Sequence, residues 1–195
     1  MTTADHQASR FIVEPLRLFD CALESDGGGA VLVTSAERAR DFPKRPVAIL
    51  GMGQHHPHFS LMDAPTLTTL GGKKSSELAY KQAGLTPKDM DFAEIYDCFT
   101  ITTMITLEDY GFCKKGEGKD FVKNGRIEVG GELPVNTHGG LLSQAHIEGM
   151  LHVTEAVKQL RGNEVEPERQ VKNAKTGIVS GHGGSLCMHT SLILG

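Results

Sequence analysis

The chain has 195 residues and a net charge of −4, long enough for one substantial α/β domain and without a basic footprint for nucleic acid. No stretch approaches 18 consecutive apolar residues and no basic-then-apolar leader opens the chain, which excludes a membrane span and predicts a cytoplasmic location. Cys21, Cys98, Cys113 and Cys187 are widely spaced and form no CxxC pair, so reduced thiols are expected rather than a zinc site or a disulfide framework.

In chain order, residues 1–10 read as a flexible tail and residues 11–195 as one domain. Gly27-Gly28-Gly29 lets the chain turn into Ala30–Val33, an apolar run that predicts a buried strand. Ser35 is a candidate N-cap for a helix reaching Arg40, which Pro43 and Pro46 end. Val47–Gly51 predicts a second strand, followed by the loop His55-His56-Pro57-His58. Adjacent histidines point in different directions and no acidic ligand follows at a metal-binding spacing, so no metal is expected there. Leu78, Ala79 and Ala83 have helical spacing from Ser75 onward, with Gly84 as C-cap. Phe92–Tyr96 is strand-like, Cys98–Tyr110 reads as a long apolar helix, and Lys114–Arg126 is a polar insert. A helix over Ser143–Leu160, a surface loop over Asn163–Gln170 and strands over Thr176–Val179 and Leu186–Leu194 complete the chain. Strands alternating with helices predict an α/β fold, a layered mixed sheet with helices on both faces.

Three segments carry chemistry. Asn136-Thr137-His138-Gly139-Gly140 leads toward His146, placing two histidines beside a glycine-led helix start whose free N–H groups suit negative charge. The second is Glu94-Ile95-Tyr96-Asp97-Cys98-Phe99, and the third Ser180-Gly181-His182-Gly183-Gly184. Asp97 stands where a carboxylate caps the helix that follows it.

In this order the segments resemble the C-terminal half of the thiolase superfamily, in the branch holding the sterol-carrier-protein thiolases and the thiolase-like acyl-CoA acetyltransferases and aldolases. The resemblance covers Phe11 to Gly195. It implies one half of an enzyme that makes or cleaves C–C bonds in acyl-CoA thioesters, with the thioester as substrate and no other cofactor. It further implies an oligomeric assembly with an N-terminal thiolase-half polypeptide, and a zinc-ribbon and OB-fold acyl-CoA-associated protein as a second partner. Retro-aldol cleavage of a β-hydroxyacyl-CoA and a non-catalytic scaffold are the alternatives.

The departures from the family pattern shape the candidate site. Tyr96 stands where the family holds a water on the thioester oxygen, and a phenol could donate to that oxygen directly. Ala145-His146-Ile147 replaces Gly-His-Pro and keeps the histidine that assists the nucleophile. The third motif lacks the acid–base cysteine, and His182 is the titratable residue available in its place. His146, His182 and Tyr96 are therefore the expected catalytic residues, with His138 as a further proton donor. Asn136, Gly139, Gly140, Gly183 and Gly184 are expected to contact substrate.

Overall fold

The computed structural model describes residues 1–195. Helix α1 (Thr3–Ala8) stands where a flexible tail was expected. Thr2 and Asp5 close it by bonding each other's backbone N–H, though none of its residues is buried. Strands β1 (Phe11–Val13) and β2 (Leu16–Arg17) pair with each other, apart from the main sheet.

The predicted strand over Ala30–Val33 does not form. The segment is irregular and exposed, with Leu32 74% and Val33 70% accessible. A strand needs a neighbour to pair its N–H and C=O groups, and this chain offers that segment none. The next expectation does hold, since the Ser35 hydroxyl accepts from Arg38 N–H and caps helix α2 (Ala36–Ala39).

Strand β3 (Ile49–His55) runs four residues past its predicted end at Gly51. The histidine-rich segment is drawn into the sheet by pairing, Gln54 opposite Thr190 and His55 opposite His189. Helix α3 (Gly72–Ala83) lies directly on β3, because Gly51 and Gly53 have no side chains. A Cβ at either would strike the carbonyl oxygens of Ala79 and Ser75. Strand β4 (Phe92–Glu94) and helix α4 (Thr100–Asp109) follow, and the polar insert contains only the short helix α5 (Gly118–Phe121).

The single helix expected from Ser143 to Leu160 is two helices, α6 (Gly140–Ser143) and α7 (Met150–Arg161). Between them the backbone of His146 bridges Glu24, and Glu148 takes a left-handed φ of 64°. Apolar spacing continues across the break, so periodicity alone cannot register it. His146 consequently sits on a loop rather than inside a helix.

Strands β5 (Gly177–Gly183) and β6 (Met188–Leu194) complete a four-stranded mixed sheet of order β3-β6-β5-β4. β3, β6 and β5 pair antiparallel, whereas β4 joins β5 in parallel. Neighbouring residues point to opposite faces, so Ile178 and Ile193 pack with Ala79 and Leu107 beneath α3 and α4. Val179 and Leu194 instead pack with Ala156 and Leu160 of α7. The sheet thus carries helices on both faces, as the sequence predicts. No helix is long and apolar enough to cross a membrane.

Candidate active site

Two loops and the end of strand β5 meet at one end of the sheet. Tyr96 lies two residues beyond β4, and its N–H donates to Ser180 Oγ of β5 at 2.9 Å. Two residues along β5, on the same face, His182 meets the Tyr96 ring edge-on, with centroids 5.6 Å apart. The loop between α6 and α7 brings His146 Nε2 within 3.1 Å of the Tyr96 hydroxyl, which donates to Glu148 Oε2 at 2.7 Å. His152 of α7 stacks against the other side of the phenol at 6.1 Å. Tyr96, His146 and His182 are therefore brought together by three separate segments.

The polar groups around them fix that geometry. Asp97 is buried, and its carboxylate accepts from the Leu141 N–H at 2.7 Å and from the Leu142 N–H at 3.3 Å. His152 Nε2 lies 3.2 Å from the same carboxylate. The glycine-led N–H groups expected to face substrate charge are thus already engaged. Asp97 caps α6, distant in sequence, whereas α4, which directly follows it, has no side-chain cap. Gly140 has a φ of 65°, and a Cβ there would fall on the Asp97 carboxylate. Asn136 bonds both backbone groups of Ile95, at 2.6 and 2.9 Å, acting as a surrogate strand neighbour beyond β4. Gly139 is the left-handed residue that starts α6, and Gly183 and Gly184 lead into the β5–β6 turn.

His138 stands apart from the three catalytic candidates. Its buried ring has Nδ1 2.9 Å from Glu94 Oε2 and meets His152 edge-on at 4.9 Å. Glu94 in turn accepts from Thr137, and Arg169 Nη1 donates to the nearby Glu155 at 2.7 Å. This network fastens α7 to β4 and reaches the phenol only through His152.

Burial sets the protonation of the site. Loss of solvation pushes His182 down from 6.5 to about 4, so it is neutral at pH 7. The expectation that His182 titrates near neutrality is thereby corrected: it offers a neutral N–H, not an imidazolium. His189 packs behind it at 4.2 Å and is driven down to about 2, first by burial and then by the neighbouring histidines. The Tyr96 phenol is raised by burial and then by the hydrogen bond and charge of Glu148. Nδ1 of both His146 and His182 has no protein partner. No group of three His, Cys, Asp or Glu side chains is arranged to hold a metal ion.

Sequence reasoning did not find Glu148, His152 or His189. Glu148 reaches Tyr96 only because the helix breaks before it. His152 is a helix-spaced polar residue in an apolar run, and His189 is the hairpin partner of His182. Recognising the β5–β6 register would have exposed that last pair.

The chain matches the family described as thiolase C-terminal domain-like over residues 53–195. It belongs to that family. Its relatives include the 17-hydroxy-3-oxo-4-pregnene-20-carboxyl-CoA lyase of Mycobacterium tuberculosis, 48% identical across 91% of this chain and 48% of the relative. A steroid side-chain-cleaving aldolase of Thermomonospora curvata is 44% identical, again over 91% of this chain and 48% of the relative. Among solved structures, the Ltp2-ChsH2(DUF35) aldolase superposes with a TM-score of 0.92 at 42% identity. That match covers all of this chain and 51% of the other. This thiolase-like chain therefore spans about half the length of the relatives it matches.

Proposed function

We propose that this chain forms the C-terminal half of a thiolase-fold enzyme that cleaves β-hydroxyacyl-CoA thioesters by a retro-aldol reaction. The observation that carries the reading is the convergence of Tyr96, His146 and neutral His182, in a motif set with no acid–base cysteine. In the reaction the β-hydroxyl loses its proton as its oxygen forms a carbonyl. The Cα–Cβ bond breaks, and its electron pair becomes the enolate of the thioester. A neutral imidazole N–H from His182 stabilises the enolate oxygen, a task that needs no positive charge. The Tyr96 and His146 side serves the β-oxygen, and protonation of Cα then releases an acyl-CoA. The lyase and aldolase names of the relatives support cleavage, and those names support the CoA thioester of a bulky hydroxylated steroid as the substrate class.

The same proposal includes a complementary N-terminal half, on this or another polypeptide. The half-length coverage of the relatives supports it, as do exposed apolar residues such as Leu23, Leu32, Val33 and Met52. A groove of about 510 Å³ between α7 and the β3–β6–β5 face, floored in part by Met52 and Leu192, adjoins Ser180 and Gly149 beside Tyr96. The complementary half would close this groove over the acyl chain. The pairing named in the structural neighbour supports a further acyl-CoA-associated protein in the assembly.

The test is cleavage of a β-hydroxyacyl-CoA by the assembled enzyme carrying His146→Ala, His182→Ala or Tyr96→Phe. Each is expected to lower turnover by about 10²–10³, the usual cost of removing one such donor. Losses below about threefold in all three, far under that range, would assign the chemistry to the other half and leave this chain as scaffold.

A further inference from the structure

Glu148 has a geometry that its place in a loop does not require. It holds a left-handed φ of 64°, a conformation L side chains rarely adopt, directly before Gly149, which could take it without strain. From there its carboxylate accepts the Tyr96 hydroxyl proton at 2.7 Å. Tyr96 itself is buried at 6% exposure, while Glu148 is exposed. In this chain the pair therefore links a buried phenol to the surface through one hydrogen bond.

The direction of that bond matters for the proposed chemistry. With its proton committed to Glu148, the phenol oxygen presents lone pairs to whatever lies in the site. A buried phenol beside a carboxylate does not ionise at neutral pH, so it cannot act as a standing phenolate base. It can accept a proton only by passing its own onward. His146 Nε2, 3.1 Å from the same oxygen, helps hold the phenol in position.

We propose that Glu148 is the terminal proton acceptor for the β-hydroxyl, acting through Tyr96. This inference rests on the retro-aldol reading and deepens it. As the β-oxygen hands its proton to the Tyr96 oxygen, the Tyr96 proton moves to the Glu148 carboxylate. The O–H electron pair forms the new carbonyl, the Cα–Cβ pair becomes the enolate, and no redox partner is needed. Exposed Glu148 then releases the proton to water. It touches Tyr96 rather than substrate, and so is a positioning and relay residue.

The experiment uses the assembled enzyme with Glu148→Gln, Glu148→Asp and Glu148→Gly. Gln keeps the size without the base, and Gly removes the carboxylate while relieving the left-handed backbone. The relay predicts a fall in kcat of about 10² or more for Gln and Gly, the scale of general base catalysis, with KM within about twofold. Asp should restore part of the loss. A residue serving only the turn would give the opposite ranking, with Gly as active as the wild type. Ultraviolet titration of the Tyr96 phenol, taken against Tyr96→Phe, supplies a readout independent of turnover: its midpoint should fall in Glu148→Gln as a neighbouring negative charge is lost. Wild-type kcat in Glu148→Gln, or an unmoved phenol midpoint, overturns the relay. If the wild-type assembly cleaves no β-hydroxyacyl-CoA but the midpoint moves, the retro-aldol reading fails while the Tyr96–Glu148 coupling stands.

Discussion

The first fifty residues and the rest of the chain obey different rules. Nothing before Gly51 is buried, although Phe11, Val13, Leu23, Leu32 and Val33 are as apolar as anything in the core. Beyond Gly51 the sheet buries apolar residues on both faces, and long-range bonds such as Ser75 to Ser191 and Asp97 to Leu141 tie distant segments together. The arm touches the body at specific places. Cys21 bridges Phe99, Ala22 N–H donates to the Cys98 carbonyl at 2.9 Å, and Ser25 N–H donates to the His146 carbonyl at 3.3 Å. It lies along two of the three site segments, held by these backbone bonds, by Thr100 donating to Asp20 at 2.7 Å and by the Lys44–Glu164 ion pair, with only Val47 and Leu50 at its end packed against the cores. The body buries its apolar side chains in two clusters, whereas most of the arm's, Leu23, Leu32 and Val33 among them, face outward.

The sharpest way to break this comparison is to remove an anchor of the body. Asp97→Ala would orphan the buried N–H groups of Leu141 and Leu142 and the imidazole of His152. A loss of about 3–5 kcal/mol in unfolding free energy is expected, the summed cost of leaving several buried polar groups unpaired at about 1–3 kcal/mol each. Urea unfolding of the isolated chain measures it. A loss under about 1 kcal/mol, the scale of an ordinary exposed interaction, would show that the site loops are not held from within the body.

A second test uses pH. The folded state holds His182 at about 4 and His189 at about 2, against an ordinary 6.5. Both are lowered chiefly by burial, so the unfolded chain binds more protons than the folded one below 6.5. Their contribution to stability is full above that value and is lost as pH falls. Each histidine adds a slope of about 1.4 kcal/mol per pH unit, from 6.5 down to about 4 for His182. Urea midpoints across this window should fall with acid, and His182→Asn should remove its share of the slope. An unchanged slope in that variant would mean that His182 is solvated and titrates normally.

What was legible in the sequence divides along the same line. Ser35, Gly84 and the β4–α4 boundary were readable because caps and strand ends depend on a few adjacent residues. Convergence of Tyr96, His146 and His182 was legible only through family resemblance, since nothing local links positions 96, 146 and 182. The break after Ser143 is not readable, because it is marked by His146 bridging Glu24, more than a hundred residues earlier, while the start of α6 is held by Asp97 from more than forty residues away. Glu148 was missed for the same reason. The strand expected at Ala30–Val33 fails for a different reason: its pattern is strand-like, but a strand is a property of a pair, and this chain offers the segment no neighbour.

That misreading yields the smallest expected effect on this chain and a sharp test of the arm. In Leu32→Asp a charge replaces a side chain that is 74% exposed, so the isolated chain should keep its unfolding free energy within about 0.5 kcal/mol. If the arm faces the complementary half, burying that charge should weaken assembly at least about tenfold, equivalent to about 1.4 kcal/mol. The two measurements, unfolding of this chain alone and titration with the complementary half, separate a folding role from a docking role. Equal loss in both would place Leu32 within the fold of the body. No change in either would leave the arm's apolar residues as ordinary exposed surface, and the complementary half would then have to dock on the sheet face beside α7.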